Sequence, residues 1–332
     1  MARFKTVMVI GGGGYVGAVL VPKLLAAGYR VKVYDLFIYG TEVFDRVRSH
    51  PGLELITGDV RDLVRLEEAM TGAEAIIHLA CISNDPSFEL DPDLGKSINF
   101  DCFEPLVKLA KRMGVKRFIY ASSSSVYGVK ECENVSEEMT CEPLTDYSRF
   151  KTMCEEVLLR YVDGGFVGLI LRPATVCGYS PRQRLDLIIN ILTSHAVLNR
   201  RIMVDGGAQK RPNIHIDDIT DLYIRSLEYD DDMINGKIFN AGYENFPVAE
   251  LAEKVKNTVG GDIEVVVRAT NDPRSYHISS EKIARELGFV PGRGIEAAVR
   301  ELKEALEDGR LRDPMNNPMY YNIRRMKEIK LK

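Results

Sequence analysis

Short apolar segments alternate with longer amphipathic segments through the first half of this chain. The short segments are rich in Val and Ile, which favours strands, and the longer ones repeat apolar residues at helical spacing. The predicted strands are Thr6–Ile10, Arg30–Tyr34, Leu53–Thr57, Ala75–Leu79, Arg117–Ala121 and Val167–Leu171. The predicted helices between them lie near Tyr15–Ala27, Asp62–Met70, Leu94–Met113 and Tyr147–Tyr161.

Strands that alternate with helices predict crossover units, and hence a parallel sheet with helices on both faces. The predicted strands are mostly apolar instead of alternating between apolar and polar residues, as expected where both faces of a sheet are buried. We therefore predict an α/β fold built on a Rossmann-type, doubly wound parallel sheet.

The rhythm of strand and helix changes after Pro173, where the elements become less regular in length. One later strand is predicted to return to the sheet, and the rest form a separate unit. The predicted elements are the helices Leu185–Ala196 and Asp217–Glu228, the returning strand Lys237–Asn240, and then a helix, the strand Glu264–Val267, two helices and a polar tail.

This change of pattern predicts a sheet domain and a smaller C-terminal lobe. The sheet domain comprises residues 1–173 with a return of about 205–245, and the lobe comprises about 174–204 and 246–332. The basic stretch from Arg324 to Lys332 is predicted to be a solvated tail.

Composition narrows the classes of partner. The chain of 332 residues has a formal net charge of −4, whereas nucleic-acid and membrane-surface binding need concentrated basic charge. No apolar segment is long enough to span a bilayer. The 6 cysteines, and likewise His78 and His215, have no second ligand at metal-binding spacing. We expect a cytoplasmic protein with reduced thiols and no metal site.

A glycine-rich segment, Gly11–Gly17, falls between the first predicted strand and the first predicted helix. Glycines let a backbone approach a pyrophosphate closely, and the helix N-terminus supplies free N–H donors and the positive end of a dipole. Such a turn also serves plain packing, but its place between strand and helix favours dinucleotide binding.

Asp35 closes the second predicted strand at the distance expected of a ribose-binding acid. Its carboxylate can accept hydrogen bonds from both adenosine ribose hydroxyls and would repel a 2′-phosphate, and no arginine follows it in Leu36–Gly40. This favours NAD over NADP. Asp59 falls where an adenine edge would lie, although a turn or helix-cap role is equally open.

Tyr147 and Lys151 lie four residues apart on a predicted helix, so their side chains share one face. A nearby cation favours a phenolate and lowers a tyrosine pKa, which suits removal of a hydroxyl proton. Upstream, the serine-rich segment from Ser122 to Ser125 follows the fifth predicted strand, and strand carboxyl ends are where an open parallel sheet places its ligands. A serine there can bridge a substrate oxygen and the Tyr147 phenol.

These motifs together resemble the extended short-chain dehydrogenases/reductases, in the branch of NAD-dependent nucleotide-sugar epimerases and dehydratases. The resemblance runs through about two-thirds of the chain. The matching pieces are Gly-x-x-Gly-x-x-Gly, Asp35, Gly58-Asp59-Val60, His78-Leu79-Ala80, Asn99, Ser-Ser-Ser-x-Val-Tyr-Gly, Tyr147 with Lys151, Arg172-Pro173, and Ile214-His215-Ile216-Asp217-Asp218.

The resemblance implies roles for individual residues. Tyr147 is the base, Lys151 binds the nicotinamide ribose, and Ser123, three residues before Val126, orients the substrate oxygen. Asn99 is assigned to the cofactor site through its support of the Lys151 region, with a helix-capping or buried amide role as the alternative. The implied NAD-binding residues are Gly11, Gly14, Tyr15, Val16, Gly17, Asp35, Asp59, Val60, Leu79, Ala80, Asn99 and Lys151.

Substrate contacts follow from the same resemblance. Arg211 and Arg274 resemble arginines that pair with a substrate diphosphate, a group that suits guanidinium forks, and Arg182 and Arg184 are further candidates. Thr175 departs from the family, in which many relatives carry an asparagine. The segment from Ser83 to Asp85 can read sugar hydroxyls or form a simple turn. The predicted substrate-binding residues are Ser83, Asn84, Ser124, Thr175, Arg184, Arg211 and Arg274.

The residues after Ser123 bear on the reaction. Sugar 4,6-dehydratases carry two acidic residues there, whereas this chain has Ser124 and Ser125, and serine is a poor proton donor near neutral pH. We therefore predict an epimerase that acts through transient C4-type oxidation or a C4 dehydrogenase that releases a keto-sugar, and nothing in the motifs decides between the two. The alternatives are a dehydratase, a dehydrogenase of small alcohols and a non-catalytic NAD-binding regulator. A homodimer through the helices near Leu94–Met113 and Tyr147–Tyr161 is also implied.

Overall fold

The computed structural model describes residues 3–132, 134–270 and 275–332. Its strands are β1 (Thr6–Ile10), β2 (Arg30–Asp35), β3 (Leu53–Thr57), β4 (Ala75–His78), β5 (Arg117–Ala121), β6 (Val167–Pro173), β7 (Thr175–Cys177), β8 (Arg201–Asp205), β9 (Lys210–His215), β10 (Lys237–Ala241), β11 (Glu244–Pro247) and β12 (Glu264–Arg268).

The α-helices range from single turns to four turns. They are α1 (Gly17–Ala26), α2 (Leu63–Met70), α3 (Asp85–Phe88), α4 (Pro92–Lys96), α5 (Phe103–Arg112), α6 (Asp146–Tyr161), α7 (Ile188–Asn199), α8 (Ile216–Arg225), α9 (Asp231–Ile234), α10 (Val248–Val259), α11 (Glu281–Leu287), α12 (Ile295–Glu307) and α13 (Asn322–Ile329).

The central sheet has 7 strands in the order β10-β6-β5-β4-β1-β2-β3, and all neighbouring pairs are parallel. Strands β1 to β3 run outward in one direction and β4 to β6 in the other, so the order reverses between β1 and β4. That reversal leaves a crevice at the carboxyl ends of the strands, where open α/β sheets bind ligands. The prediction of a Rossmann-type fold is confirmed.

The sheet is buried on both faces, which explains why its strands are apolar throughout. Val7 and Val9 of β1 pack with α1 and α8 in one core, whereas Met8 and Ile10 point into a second core with α2, α5 and α6. A third core joins α7, α10 and α12 beside the two-stranded sheet of β8 and β12. Strands β7, β9 and β11 form a separate three-stranded sheet.

Two sequence predictions differ from the structure. The predicted helix at Leu94–Met113 is interrupted by a π-turn at Ser97–Asp101, which turns Asn99 into the interior. The predicted solvated tail is the helix α13, and its Met326 is only 5% exposed because it packs on the core beside β2 and β3. Among the helices of the described residues, none has the length and apolarity to cross a membrane.

Candidate active site

A cavity of about 470 Å³ opens at the carboxyl ends of β1, β2, β4, β5 and β6. Because the strands are parallel, the segments that follow them converge on this one edge of the sheet. The predicted site residues that line it are Gly11, Gly14, Tyr15, Val16, Gly17, Asp35, Asp59, Val60, Leu79, Ala80, Ser83, Asn84, Ser123, Ser124, Tyr147, Lys151, Thr175, Arg184 and Arg211.

The glycine turn uses its glycines in different ways. A Cβ on Gly11 (φ +83°) would lie 2.4 Å from the Ala80 nitrogen, and one on Gly17 would lie 2.3 Å from the Gly12 oxygen, so both are required by packing. Gly14 faces the cavity, and a Cβ there would meet only the Gly11 oxygen at 3.3 Å. Its missing side chain leaves room for a ligand, and this cradle fits the pyrophosphate of a dinucleotide.

Asp35 is held by the backbone at the end of β2. Its Oδ2 accepts from the Gly13 N–H at 2.9 Å and its Oδ1 from the Phe37 N–H at 2.7 Å. Burial nevertheless raises the pKa of Asp35. A partly buried carboxylate gains from additional hydrogen bonds, as a pair of ribose hydroxyls would provide.

Asp59 has a partner that the sequence did not reveal. Although burial opposes it, hydrogen bonds from Arg61 lower the pKa of Asp59, and the two side chains are 2.6 Å apart. The same guanidinium donates to the backbone oxygen of Lys332 at 2.8 Å. Through Arg61, Asp59 on the cavity wall is therefore linked to Lys332.

Tyr147 and Lys151 lie on the first turns of α6, which Thr145 caps by accepting the Ser148 N–H. The Lys151 ammonium is 5.8 Å from the centroid of the Tyr147 ring and donates to the Ala121 oxygen at 2.7 Å. Burial raises the pKa of Tyr147 well above 10, and the chief opposing charge is that of Arg184. The expectation that Tyr147 has a lowered pKa is wrong for this structure, because desolvation outweighs the nearby cations.

A chain of hydroxyl groups runs from Ser123, which lines the cavity with Tyr147, to a buried carboxylate. The Ser123 Oγ lies 2.8 Å from the Oγ of Ser125. The contacts continue from Ser148 to Ser125 at 3.0 Å, between Thr145 and Ser148 at 3.0 Å, and from Thr145 to Asp85 Oδ1 at 2.6 Å. Asp85 also lines the cavity and is 7% exposed.

The substrate side of the cavity carries a buried guanidinium. Arg184 donates to Asp186 at 2.9 Å and to the Ser83 hydroxyl at 3.0 Å, while its Nη2 is buried with no partner among the described residues. An unsatisfied buried donor of this kind fits an anionic ligand. Arg211 also lines the cavity and stacks on Tyr276 at 5.3 Å, and the predicted Arg274 lies outside the described residues.

Three residues predicted to contact the cofactor or substrate form hydrogen bonds within the protein. Asn99 is absent from the cavity wall; its side chain accepts from the Ile82 N–H and donates to the Ile82 oxygen, so it is the buried amide of the alternative interpretation. The Tyr15 hydroxyl donates to the Gly178 oxygen at 2.7 Å. The Asn84 side chain caps α3 by accepting the Ser87 N–H at 3.0 Å.

The two histidines considered at the start differ in surroundings. His78 packs among aromatic rings on β4, and burial lowers its pKa to about 3. His215 lies with Asp217 and Glu301 in a group whose ligand atoms are within 4.8 Å of one another, a proximity that the sequence did not show because Glu301 comes from α12. Asp217 is already paired with Lys23 at 2.7 Å.

The C-terminal segment contributes residues to the cavity that the motifs did not predict. Asn322, Met326 and Leu331 line the cavity, although a polar tail was expected there. The signal that points to them is the helical spacing of Ile323, Met326 and Ile329 within the basic stretch.

Comparison with known proteins gives consistent results. Residues 7–242 match the model of the NAD dependent epimerase/dehydratase family. The chain is 27% identical over 301 residues to a UDP-glucose 4-epimerase of Corynebacterium glutamicum, covering 86% of this chain and 90% of that protein. It is 33% identical over 219 residues to the uncharacterized protein y4nG of Sinorhizobium fredii, covering 65% of this chain but only 51% of that relative.

A solved structure shows the same fold. The crystal structure of DesIV, a dTDP-glucose 4,6-dehydratase from Streptomyces venezuelae with NAD and TYD bound, superposes with a TM-score of 0.84 at 24% identity. The match covers 93% of this chain and 99% of that one.

Proposed function

Because this chain belongs to the NAD-dependent epimerase/dehydratase family, we propose that it is an epimerase of a nucleotide-activated sugar that acts through transient oxidation at a C4-type hydroxyl. The observation that carries the proposal is the meeting of Ser123, Tyr147 and Lys151 with the glycine turn and Arg184 in one cavity. A protein that only bound NAD would need neither the proton-transfer residues nor a buried anion-binding guanidinium.

The chain has the groups that would hold NAD. The backbone around Gly14 suits the pyrophosphate, Asp35 the adenosine ribose and Lys151 the nicotinamide ribose. NAD supplies the hydride acceptor when it is bound. The unpartnered Nη2 of Arg184 suits a phosphate oxygen of the substrate.

Tyr147 is the group that moves the proton of the sugar hydroxyl. In its phenolate form it accepts this proton, and Ser123 orients the oxygen by a hydrogen bond. Arg184 favours the phenolate through its charge. When the keto group is reduced again from the other face of the sugar, the Tyr147 phenol returns the proton.

The hydroxyl groups beside Tyr147 hold one another in place. Thr145 donates to the Asp85 carboxylate and Ser148 donates to Ser125, whose Oγ lies 2.8 Å from the Oγ of Ser123. The proton that Tyr147 accepts from the sugar stays on the phenol until the keto group is reduced.

A dehydratase is the second candidate, and one observation favours it. Ser124 and Ser125 supply no acid, but Asp85 places a carboxyl group on the wall of the same cavity. Loss of water needs an acid at the leaving hydroxyl and a base at the neighbouring carbon. We favour the epimerase because the carboxylate of Asp85 accepts from Thr145, which directs that oxygen into the hydroxyl chain.

The proposal is tested by mixing NAD-loaded protein with nucleotide-sugars, free sugars and small alcohols, and recording the near-ultraviolet absorbance of reduced nicotinamide. We expect a transient signal with a nucleotide-sugar only, and its KM to rise when Arg184 is replaced by Gln. A signal from small alcohols that is insensitive to this substitution would mean a small-alcohol dehydrogenase. Silence with every compound would point to the NAD-binding regulator.

Assembly and compartment belong to the same proposal. We expect a cytoplasmic homodimer that pairs through α5 and α6, because these helices carry the segments that the family resemblance assigns to the dimer. Light scattering on the purified protein measures this, and a monomer mass would contradict it. The sheet domain and C-terminal lobe likewise stay as a proposed division of the chain.

A further inference from the structure

We infer that the C-terminal segment, Asn322 to Leu331, is a wall of the NAD site and holds the cofactor in place. The inference rests on the NAD binding in the proposed function, but it assigns to α13 a role that neither motif nor family resemblance supplies. Met326, Leu331 and Asn322 line the same cavity as Asp35 and Asp59.

The segment closes the end of the cavity that suits the adenosine. Met326 is 5% exposed and packs in the core that contains Tyr34 of β2 and Val60 after β3, and Leu331 packs against the same core. With Val60 and Ile98 they form an apolar patch on the cavity wall beside Asp59. A flat, mostly apolar ring such as adenine fits such a patch, since cofactor pockets are lined largely by apolar side chains.

Asn322 fastens the start of α13 to three parts of the cavity rim. Its Oδ1 accepts from the Tyr39 hydroxyl at 3.0 Å and from Arg182 at 2.6 Å. Its Nδ2 donates to the Ser83 hydroxyl at 3.0 Å, and its backbone N–H donates to Asp186 at 3.1 Å. The side chain is 6% exposed, so these bonds are largely shielded from water.

Two arginines fasten the middle and the end of the segment. Arg325 donates to the Ile38 oxygen at 2.6 Å, next to the Asp35 loop. Arg61 donates to the Lys332 oxygen at 2.8 Å while it pairs with Asp59. These two attachments join α13 and Lys332 to the segments that follow β2 and β3. Asp35 at the end of β2 and Asp59 after β3 are the expected adenosine contacts.

This arrangement has a kinetic consequence. NAD bound in the cavity lies under α13, so its release requires the segment to break several shielded hydrogen bonds and to expose Met326 and Leu331. Removing apolar contacts with the ligand weakens binding, and removing the obstruction speeds release. Loss of the wall should therefore raise both the Kd and the dissociation rate of NAD.

The test measures NAD itself on the full-length protein after the bound cofactor is stripped. Calorimetry gives the Kd, and exchange against labelled NAD gives the dissociation rate. For the double variant M326A/L331A, and for a chain ending at Tyr321, we expect a Kd at least about tenfold higher, equivalent to about 1.4 kcal/mol, and a faster release. The matched control is M319A, a half-buried methionine just before α13 that does not line the cavity.

The outcomes separate this inference from the proposed function. Unchanged Kd and release rate in a folded M326A/L331A protein would overturn it, and so would a rise only in the KM of the sugar. If the shortened chain fails to fold, the double variant decides. If the variants bind NAD more weakly but the unmodified protein converts no nucleotide-sugar, the inference about the C-terminal segment stands and the proposed function is wrong.

Discussion

Tyr147, the proposed base, lies in a setting where its own burial opposes ionisation. Desolvation raises its pKa well above 10, the charge of Asp85 raises it further, and the charge of Arg184 lowers it. Asp85 and Arg184 therefore shift the pKa of the same phenol in opposite directions. Replacing either residue should move the pH dependence of the reaction in a direction that the structure predicts.

Replacing Tyr147 with Phe removes only the phenol oxygen and should lower kcat/KM by roughly a hundredfold or more, since the proton then has no acceptor. NAD affinity should stay unchanged because the ring is retained. Steady-state rates and calorimetry measure the two effects. The control is Y243F, at a tyrosine that is 46% exposed. Full activity of Y147F would remove Tyr147 from the reaction.

Asp85 and Arg184 should shift the pH profile in opposite directions. Oxidation needs the phenolate, so the rate rises with pH through the pKa of Tyr147. D85N removes a charge that raises this pKa, and the rising limb should move to lower pH; R184Q removes a charge that lowers it, and the limb should move to higher pH. The profile of kcat at saturating sugar measures this. The control D93N, at an exposed carboxyl in α4, should leave the rising limb of the pH profile where it is. Shifts of D85N and R184Q in the same direction would contradict the account.

Asp35 should select the cofactor. D35S removes the ribose acceptor and the negative charge, so the Kd of NAD should rise roughly ten- to a hundredfold, as expected for charged hydrogen bonds worth about 1.5–3 kcal/mol. The affinity for NADP should improve because nothing then repels the 2′-phosphate. Calorimetry with both cofactors tests this, with D45N, at an exposed residue that pairs with Arg48, as control. If D35S keeps the same preference for NAD over NADP, other residues determine the choice of cofactor.

At the scale of elements, α6 is anchored to the sheet by a buried ion pair. Arg172 at the end of β6 binds Glu155 of α6 through two contacts of 2.9 and 2.6 Å, and both side chains are at most 4% exposed. These bonds raise the pKa of Arg172. Because Lys151 and Tyr147 lie one and two turns earlier on the same helix, this pair fixes α6 against the strand that bounds the cavity.

Breaking this pair should destabilise the fold strongly. E155Q leaves the Arg172 charge buried without its counterion, and we expect a loss of about 3–5 kcal/mol in the free energy of unfolding. Urea unfolding followed by circular dichroism measures the loss. E156Q, at the exposed neighbouring position, should change it little. Equal stability of the two variants would show that the pair does not hold α6.

Elements with strong local patterns could be predicted, and those defined by distant contacts could not. The strand Leu53–Thr57 and the glycine turn carry their own signals in sequence, so they were placed correctly. The π-turn within Leu94–Met113 arises where Asn99 turns inward to bond Ile82, and α13 is ordered by contacts with loops some 280 residues earlier. No local pattern reports such partners.

For the whole molecule, the cavity depends on segments brought together from both ends of the chain. Ser123, Tyr147 and Lys151 could be assigned from motif and order, whereas the hydroxyl chain to Asp85 requires α3 to meet the N-terminus of α6. The buried, unpartnered Nη2 of Arg184 was equally invisible, because Ser83 and Asp186 reach that side chain from different loops. The sequence therefore locates the motifs that line the cavity better than it predicts the fine geometry of the substrate side.

The account is tested most directly by product analysis. NAD-loaded protein is incubated with nucleotide-sugars in deuterated water, and products are identified by mass spectrometry and nuclear magnetic resonance, with Y147F as the inactive control. The account predicts an isomer that differs at one hydroxyl carbon and has gained no deuterium there, because the hydrogen removed is the one returned. A product that has lost water would contradict it and establish the dehydratase.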